Sequence, residues 1–367
     1  VLIVAWEPAA LLPVFGEAAL SRLVRLAVSE GAAVTVLLTP ELSLALSRRP
    51  RDAGLVVWRL VAREELAAAA AHLGGSPEEP VVLVPGHSVW DRLSFRRALA
   101  EAGAAWRLPA GQMPAVLARW LTAGPPAGDA GLPVLLSGPG EVAAAEARLV
   151  AALAAATQES DGLLARWVDR PLSRCLSPRL AARRVPPNAV TLMGSSIGLL
   201  GALLLAQTGY AAHLAGALLF LAAVVLDGVD GEVARLSLRE SRFGHYLDIL
   251  TDNLVHVAVF AGIAVGLHRE APDARHLYAL ALLLVGFALC ALAVHLVLGR
   301  HKELSGTDSP AARLVAALNS RDFAYLVLLL ALADRLHWFL WGAAVGTYVF
   351  AGLLLAMGRP FGRAAGR

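Results

Sequence analysis

Residues Leu226–Asn253 read LDGVDGEVARLSLRESRFGHYLDILTDN. Four aspartates stand here as two pairs: Asp227 and Asp230, three apart, and Asp248 and Asp252, four apart. On a helix, either spacing puts both carboxylates on one face. Apolar sequence runs into the first pair and away from the second, so the stretch reads as a turn between two long helices with an acidic end on each. A helical hairpin brings all four carboxylates together. Left unneutralised at a membrane boundary they repel one another, and intramembrane acids are functional by default. Oxygen-only ligands suit hard divalent cations, Mg²⁺, Mn²⁺ or Ca²⁺, rather than zinc. Gly231 and Ala234 lie beside the first pair and Gly244 precedes the second, leaving room for a bulky ligand. Arg235 is placed to meet a phosphate or pyrophosphate. Salt bridges to Arg235, Arg239 and Arg242 would explain any one aspartate, but hardly four at these spacings.

The surroundings explain why these helices are long. The chain has 367 residues, of which 57% are apolar and 17% charged, and its mean hydropathy is +0.62. Soluble chains carry more charge and less apolar sequence. The net charge of +3 gives no strong field for nucleic acid, and two cysteines exclude a disulfide framework or a cysteine-only zinc site. From Ala189 onward, six runs reach membrane-spanning character, at about 189–209, 211–235, 245–267, 277–299, 322–338 and 339–358. Arginines cluster before the first run, between the second and third, between the fourth and fifth, and after the last. The positive-inside rule then puts both termini, and the aspartate pairs, on the cytoplasmic side of the cell's inner membrane.

Residues 1–157 differ. Strand-like runs at Leu2–Trp6, Ala33–Thr39, Val56–Val61, Val81–Pro85 and Pro133–Ser137 alternate with amphipathic stretches at Glu17–Ser29, Arg63–Leu73 and Arg92–Ala102, and Glu141–Thr157 reads as a strong helix. That alternation predicts a Rossmann-like α/β domain with a mostly parallel sheet. Residues 158–188 form a hinge and an arginine-rich amphipathic helix lying on the membrane surface. The expected fold is therefore a cytoplasmic α/β domain (1–157), this juxtamembrane segment, and an α-helical integral membrane domain of six transmembrane helices (189–367). Gly194/Gly198 and Gly262/Gly266 have the small-xxx-small spacing that allows close helix packing, which suggests a homodimer.

Asp227-x-x-Asp230-Gly231-x-x-Ala234-Arg235, eight intervening residues, and Gly244-x-x-x-Asp248-x-x-x-Asp252 match the signature of the CDP-alcohol phosphotransferase family, and Pro187-Asn188-Ala189-Val190-Thr191 looks like that family's entry to its first span. The resemblance covers residues from the surface helix to the C-terminus. It implies metal-dependent transfer of a substituted phosphate from a CDP-alcohol to an acceptor hydroxyl, with release of CMP, in phospholipid or polyol-phosphate biosynthesis. By the same resemblance, Asp227, Asp230 and Asp248 hold two ions, Mg²⁺ or Mn²⁺. Asp252 completes the site and is the general base. Gly231, Ala234, Arg235, Asn188, Thr191 and Gly244 meet the nucleotide. A phosphorylated acceptor, such as inositol phosphate or glycerol phosphate, would be met by Arg300, Lys302, Arg313 and Arg321 on the same side, which also serve as orientation charges. His245 and His301 read as interfacial rather than as ligands.

The N-terminal part resembles a sugar-nucleotidyltransferase domain, as fused in the bifunctional inositol-phosphate cytidylyltransferase / di-inositol-phosphate-phosphate synthase type. That family needs a glycine-rich loop with a basic residue after its first strand, where backbone N–H groups cradle a triphosphate. Here the loop is Ala5–Pro13, without glycine or basic residue and with an acid, Glu7. The expectation is a degenerate domain, with Ser21, Arg22 and Asp91 as remnants of ligand binding or as solvated surface. Two alternatives stay open: a bifunctional enzyme that also makes its CDP-alcohol from CTP, and a membrane transporter with an acidic cation site.

Overall fold

The computed structural model describes residues 1–46, 56–71, 80–100, 107–123, 133–157, 168–300 and 323–357. They divide into two compact units. The first comprises the described parts of Val1–Ala156 with Ser177–Val185 and Val233–Arg239. The second comprises those of Thr157–Leu176, Pro186–Glu232 and Glu240–Arg367.

The first unit is built on a sheet. Strand β1 (Leu2–Ala5) is buried at every position, the uninterrupted apolar pattern of a strand covered on both faces. After a one-turn helix at Pro8–Leu11 comes a small hairpin of β2 (Pro13–Val14) and β3 (Glu17–Ala18). Helix α1 (Ala19–Ser29) packs its apolar face inward, and Gly31 ends it at φ +75, a left-handed turn that glycine adopts without steric cost. Then follow β4 (Val34–Leu38), α2 (Pro40–Ala45), β5 (Val56–Leu60), α3 (Leu66–Ala71), β6 (Pro80–Pro85), β7 (Ser88–Val89), α4 (Arg92–Ala100), β8 (Arg107–Pro109), α5 (Met113–Ala123), β9 (Val134–Leu135) and α6 (Val142–Thr157). The main sheet has the order β5-β4-β1-β6-β8; the first four strands are parallel and β8 is antiparallel to β6. Ile3, Val4, Leu20, Leu37, Leu83 and Phe95 fill its core. One expectation is corrected: Pro133–Ser137 does not extend this sheet. Only Val134–Leu135 forms a strand, paired with β7, and Arg107–Pro109 takes the sheet edge. Pro133 lacks a ladder donor and Gly138-Pro139-Gly140 follows directly, so the run is too short to reach the main ladder.

The second unit is helical. Helix α7 (Arg170–Ala182) begins in it and carries Pro178 inside. Pro186 and Pro187 then set the start of α8 (Pro187–Leu205), since proline fits the first helical turn. Helices α9 (Tyr210–Leu236), α10 (Arg242–Glu270), α11 (Ala274–Arg300), α12 (Phe323–Leu332) and α13 (Leu336–Met357) complete it. Helix α10 is capped by Ser241, whose Oγ accepts from the Gly244 N–H at 2.9 Å. Among the described residues, five helices are long and apolar enough to cross a membrane: α8, α9, α10, α11 and α13. The expected run at 322–338 is described from residue 323 onward. It holds the 10-residue α12 and the start of α13, parted at Asp334, which sits at φ +55. At 1.5 Å per residue the described length of α12 is about 15 Å.

Glycines set the spacing of α8, α9 and α10. A Cβ at Gly262 would lie 2.4 Å from the Ala202 carbonyl oxygen, and one at Gly201 would lie 2.9 Å from that of Gly216. Gly198 faces Val255, Gly194 faces Leu226, and Gly266 faces the Leu205 carbonyl. The rows expected to meet a second copy are therefore spent on contacts within one chain.

Candidate metal centre

Helix α9 brings Asp227 and Asp230 to its C-terminal part, and α10 brings Asp248 and Asp252 to its N-terminal part. The short turn between them folds the acidic ends together. Ligand oxygens of Asp227, Asp230 and Asp248 all lie within 4.8 Å of one another. Asp230 is buried, and Asp227 and Asp248 are half-buried. Oδ1 of Asp248 is buried with no hydrogen-bond partner among the described residues. Carboxylates brought this close need a counter-charge, and an orphaned buried oxygen needs a partner. An all-oxygen donor set fits a hard divalent cation, so the residues fit Mg²⁺ or Mn²⁺.

Asp252 is not one of this trio. Its side chain is 45% exposed, and His256 Nε2 lies 3.5 Å from its Oδ1. With Thr191, Gly194, Ser195, Phe220, Asp227, Asp230 and Val255, it lines a cavity of about 20 Å³. That holds something the size of one water molecule and is far too small for a nucleotide.

Thr191, expected at the nucleotide, has its hydroxyl donating to Asp230 Oδ2 at 2.5 Å. Asn188 and Gly244 do meet. A Cβ at residue 244 would lie 2.9 Å from Asn188 Oδ1, so glycine is what lets α10 start against α8. Gly231 and Ala234 are half-buried on α9, and Arg235 is exposed in its last turn. His245 is exposed and lies against Tyr246, outside the acidic trio. Arg300 closes α11, but its side chain and all of His301, Lys302, Arg313 and Arg321 fall outside the described residues.

Two arrangements escaped the reading of the sequence. Glu232, two residues past Asp230, is buried; Arg170 Nη1 donates to its Oε1 at 2.5 Å and Ser173 Oγ donates to the same oxygen at 2.9 Å. Nearby on the chain, buried Asp169 accepts from the Tyr325 hydroxyl of α12. These bonds tie the start of α7 to α9 and α12. The second is His256. Its position one helical turn beyond Asp252 was visible in the sequence and would have drawn attention to it.

In the first unit the expected ligand remnants have structural work. Asp91 caps α4, accepting from the Ser94 N–H at 2.9 Å and from the Ser94 hydroxyl at 2.7 Å. Ser21 and Arg22 are buried in α1. The Arg22 guanidinium donates to the Leu236 carbonyl and lies over the Phe15 ring, and burial foremost lowers its pKa to about 10. In the loop after β1, Glu7 pairs with Arg63 at 3.6 Å, and the Trp6 ring meets buried His87 edge-on at 5.4 Å. Burial pushes the His87 pKa below its ordinary value, outweighing the nearby charges of Glu7 and Glu141.

Comparison with known proteins agrees with this geometry. The chain is 36% identical over 112 residues to a "Bifunctional IPC transferase and DIPP synthase" of Archaeoglobus fulgidus, covering 30% of this chain and 22% of that protein. It is 37% identical over 101 residues to an "Archaetidylinositol phosphate synthase" of Pyrococcus horikoshii, covering 27% of this chain and 50% of that protein. The chain thus spans half or less of the length of these relatives. A solved structure, that of Mycobacterium tuberculosis phosphatidylinositol phosphate synthase with CDP-DAG bound, aligns over 55% of this chain and 98% of its own at 22% identity, with a TM-score of 0.36. Residues 184–351 match the model of the CDP-alcohol phosphatidyltransferase family. The signature residues of α9 and α10 lie inside this match, and residues 184–351 are a domain of that family.

Proposed function

We propose that this domain transfers a substituted phosphate from a CDP-alcohol to an acceptor hydroxyl and releases CMP. The observation that carries the reading is the convergence of Asp227, Asp230 and Asp248 within 4.8 Å at the family's spacing. These three residues would hold two Mg²⁺ or Mn²⁺ ions, and Asp252 completes the site. Such ions neutralise charge on the diphosphate and on the departing phosphate. The chain's own groups do the rest. Thr191 fixes the Asp230 carboxylate. Asp252, whose side chain is 45% exposed, accepts the proton of the acceptor hydroxyl. The acceptor oxygen forms a bond to the phosphorus of the transferred group as the bond from that phosphorus to the CMP oxygen breaks, and CMP leaves with the bonding electrons. Asn188, Gly231, Ala234, Arg235 and Gly244 would border the nucleotide.

The relatives' names support a polyol phosphate such as inositol phosphate as acceptor, with glycerol phosphate the other choice, met by Arg300, Lys302, Arg313 and Arg321. We further propose six crossings of the cell membrane with both termini cytoplasmic, from the arginine distribution. The first unit, in this reading, no longer makes a CDP-alcohol, because an acid engaged with Arg63 stands in the loop where a triphosphate would need donors.

The test is CMP release by the full chain in detergent micelles with Mg²⁺ or Mn²⁺. CDP-diacylglycerol and CDP-inositol are each offered with glycerol phosphate, inositol and inositol phosphate. CMP release with one pair, lost on chelation and in Asp248→Asn, is expected. Folded protein that neither releases CMP nor binds Mn²⁺ overturns the transferase reading. CTP-dependent formation of a CDP-alcohol overturns the reading of the first unit.

A further inference from the structure

We propose that His256 is a positioning residue for Asp252, holding the proton-accepting carboxylate in register with the acidic trio. This inference rests on the transferase reading. His256 follows Asp252 by one turn of α10, which puts both side chains on one helix face. Its Nε2 lies 3.5 Å from Asp252 Oδ1. Such contacts are often long before substrate binds and tighten in the productive complex.

The imidazole is held for this task by three aromatic rings. Phe260 stacks with it at 6.4 Å and 16° between planes, Phe323 leans against it at 5.0 Å, and Phe220 meets it edge-on at 6.0 Å. These rings come from α10, α12 and α9, so the histidine is fixed from three helices. Phe220 is fully buried and also lines the small cavity beside Asp227, Asp230 and Asp252. A polar ring enclosed by phenylalanines and directed at a half-exposed carboxylate is an unusual use of a core position. Packing alone would be served better by a fourth phenylalanine.

The physical need is clear. A carboxylate turns about its Cβ–Cγ bond. A donor on Oδ1 sets the plane of the group and so sets which lone pairs face the acceptor hydroxyl. Orientation of this kind acts on turnover rather than on donor or metal binding.

The test uses the full chain in detergent micelles and two substitutions. His256→Phe keeps the aromatic packing and removes the donor. His256→Gln keeps an N–H at about the reach of Nε2. The expected result for His256→Phe is a kcat for CMP release lowered about tenfold to a hundredfold, with KM for the CDP-alcohol, Mn²⁺ binding and melting temperature near wild type. His256→Gln recovers most of the lost turnover. Wild-type kcat in His256→Phe overturns the proposal, as does equal loss in both variants with weakened Mn²⁺ binding, which marks a merely structural role. A folded wild-type chain that neither releases CMP nor binds Mn²⁺ overturns the transferase reading itself, and this proposal falls with it.

Discussion

The hydroxyl of Thr191, at the start of α8, donates to Oδ2 of Asp230 on α9 at 2.5 Å. Both groups are buried. The bond joins the entry of the first long helix to an acid of the candidate metal centre, and it leaves Asp230 with one oxygen committed before any cation arrives.

Thr191→Val keeps the shape and removes the donor. Mn²⁺ binding is expected to weaken about tenfold, since groups that orient a ligand matter nearly as much as the ligand. Thr191→Ser is expected to restore it. Titration of the purified chain with Mn²⁺, followed by electron paramagnetic resonance, measures both; unchanged binding in the valine variant would rule out the role.

The Arg170–Glu232 pair predicts a stability effect. Side-chain exposures are 15% and 5%, and Ser173 adds a second donor to the same oxygen. Arg170→Met strands the buried carboxylate and is expected to cost about 3 kcal/mol. Arg170→Met combined with Glu232→Met is expected to cost less than Arg170→Met alone, because no charge is left unpaired. Thermal unfolding of both variants checks the order; a double variant weaker than the single would contradict it.

Glycine positions separate into two kinds. Gly262→Ala drives a methyl toward the Ala202 carbonyl and is expected to destabilise the chain by about 1–3 kcal/mol. Gly352→Ala on α13 meets nothing within 4 Å and is expected to be neutral or slightly stabilising. Melting temperatures in the same detergent decide the matter, and equal shifts would count against glycine-set helix spacing.

Sequence alone conveyed much of this architecture. Asp227, Asp230 and Asp248 were legible because helical spacing converts directly into facing side chains, and uncharged runs located α8 to α11 within a few residues. What it missed depends on the packing of distant segments. Nothing local in Glu232 shows that Arg170 and Ser173 will enclose it, and nothing local in Thr191 shows that its hydroxyl will bond Asp230. The edge strand at Arg107–Pro109 is three residues long, below what periodicity can detect. Asp334 looked like an isolated charge inside a run, yet its left-handed backbone ends α12.

His87 gives the first unit a pH dependence. Its folded pKa is depressed by burial below the ordinary value of 6.5, and Nδ1 has no partner among the described residues. Below pH 6.5 the unfolded chain takes up a proton that the folded chain resists, so the unfolded state binds more protons and stability falls with falling pH. Stability is retained above pH 6.5 and lost progressively as pH drops toward the folded pKa. Melting temperatures between pH 7.5 and 5.5 are expected to fall more steeply for the wild type than for His87→Gln. Parallel curves would remove His87 as the cause.

The turn between α9 and α10 has a consequence for biogenesis. Every acid of the candidate site lies between Asp227 and Asp252, on two helices adjacent in sequence, and the hydroxyl that steadies Asp230 comes from the helix just before them. Short loops cost little entropy to close. As the ribosome delivers the chain to the membrane, α8, α9 and α10 can assemble the carboxylates while α11 and everything after it are still being synthesised. Only the aromatic enclosure of His256 must wait, because Phe323 arrives on α12.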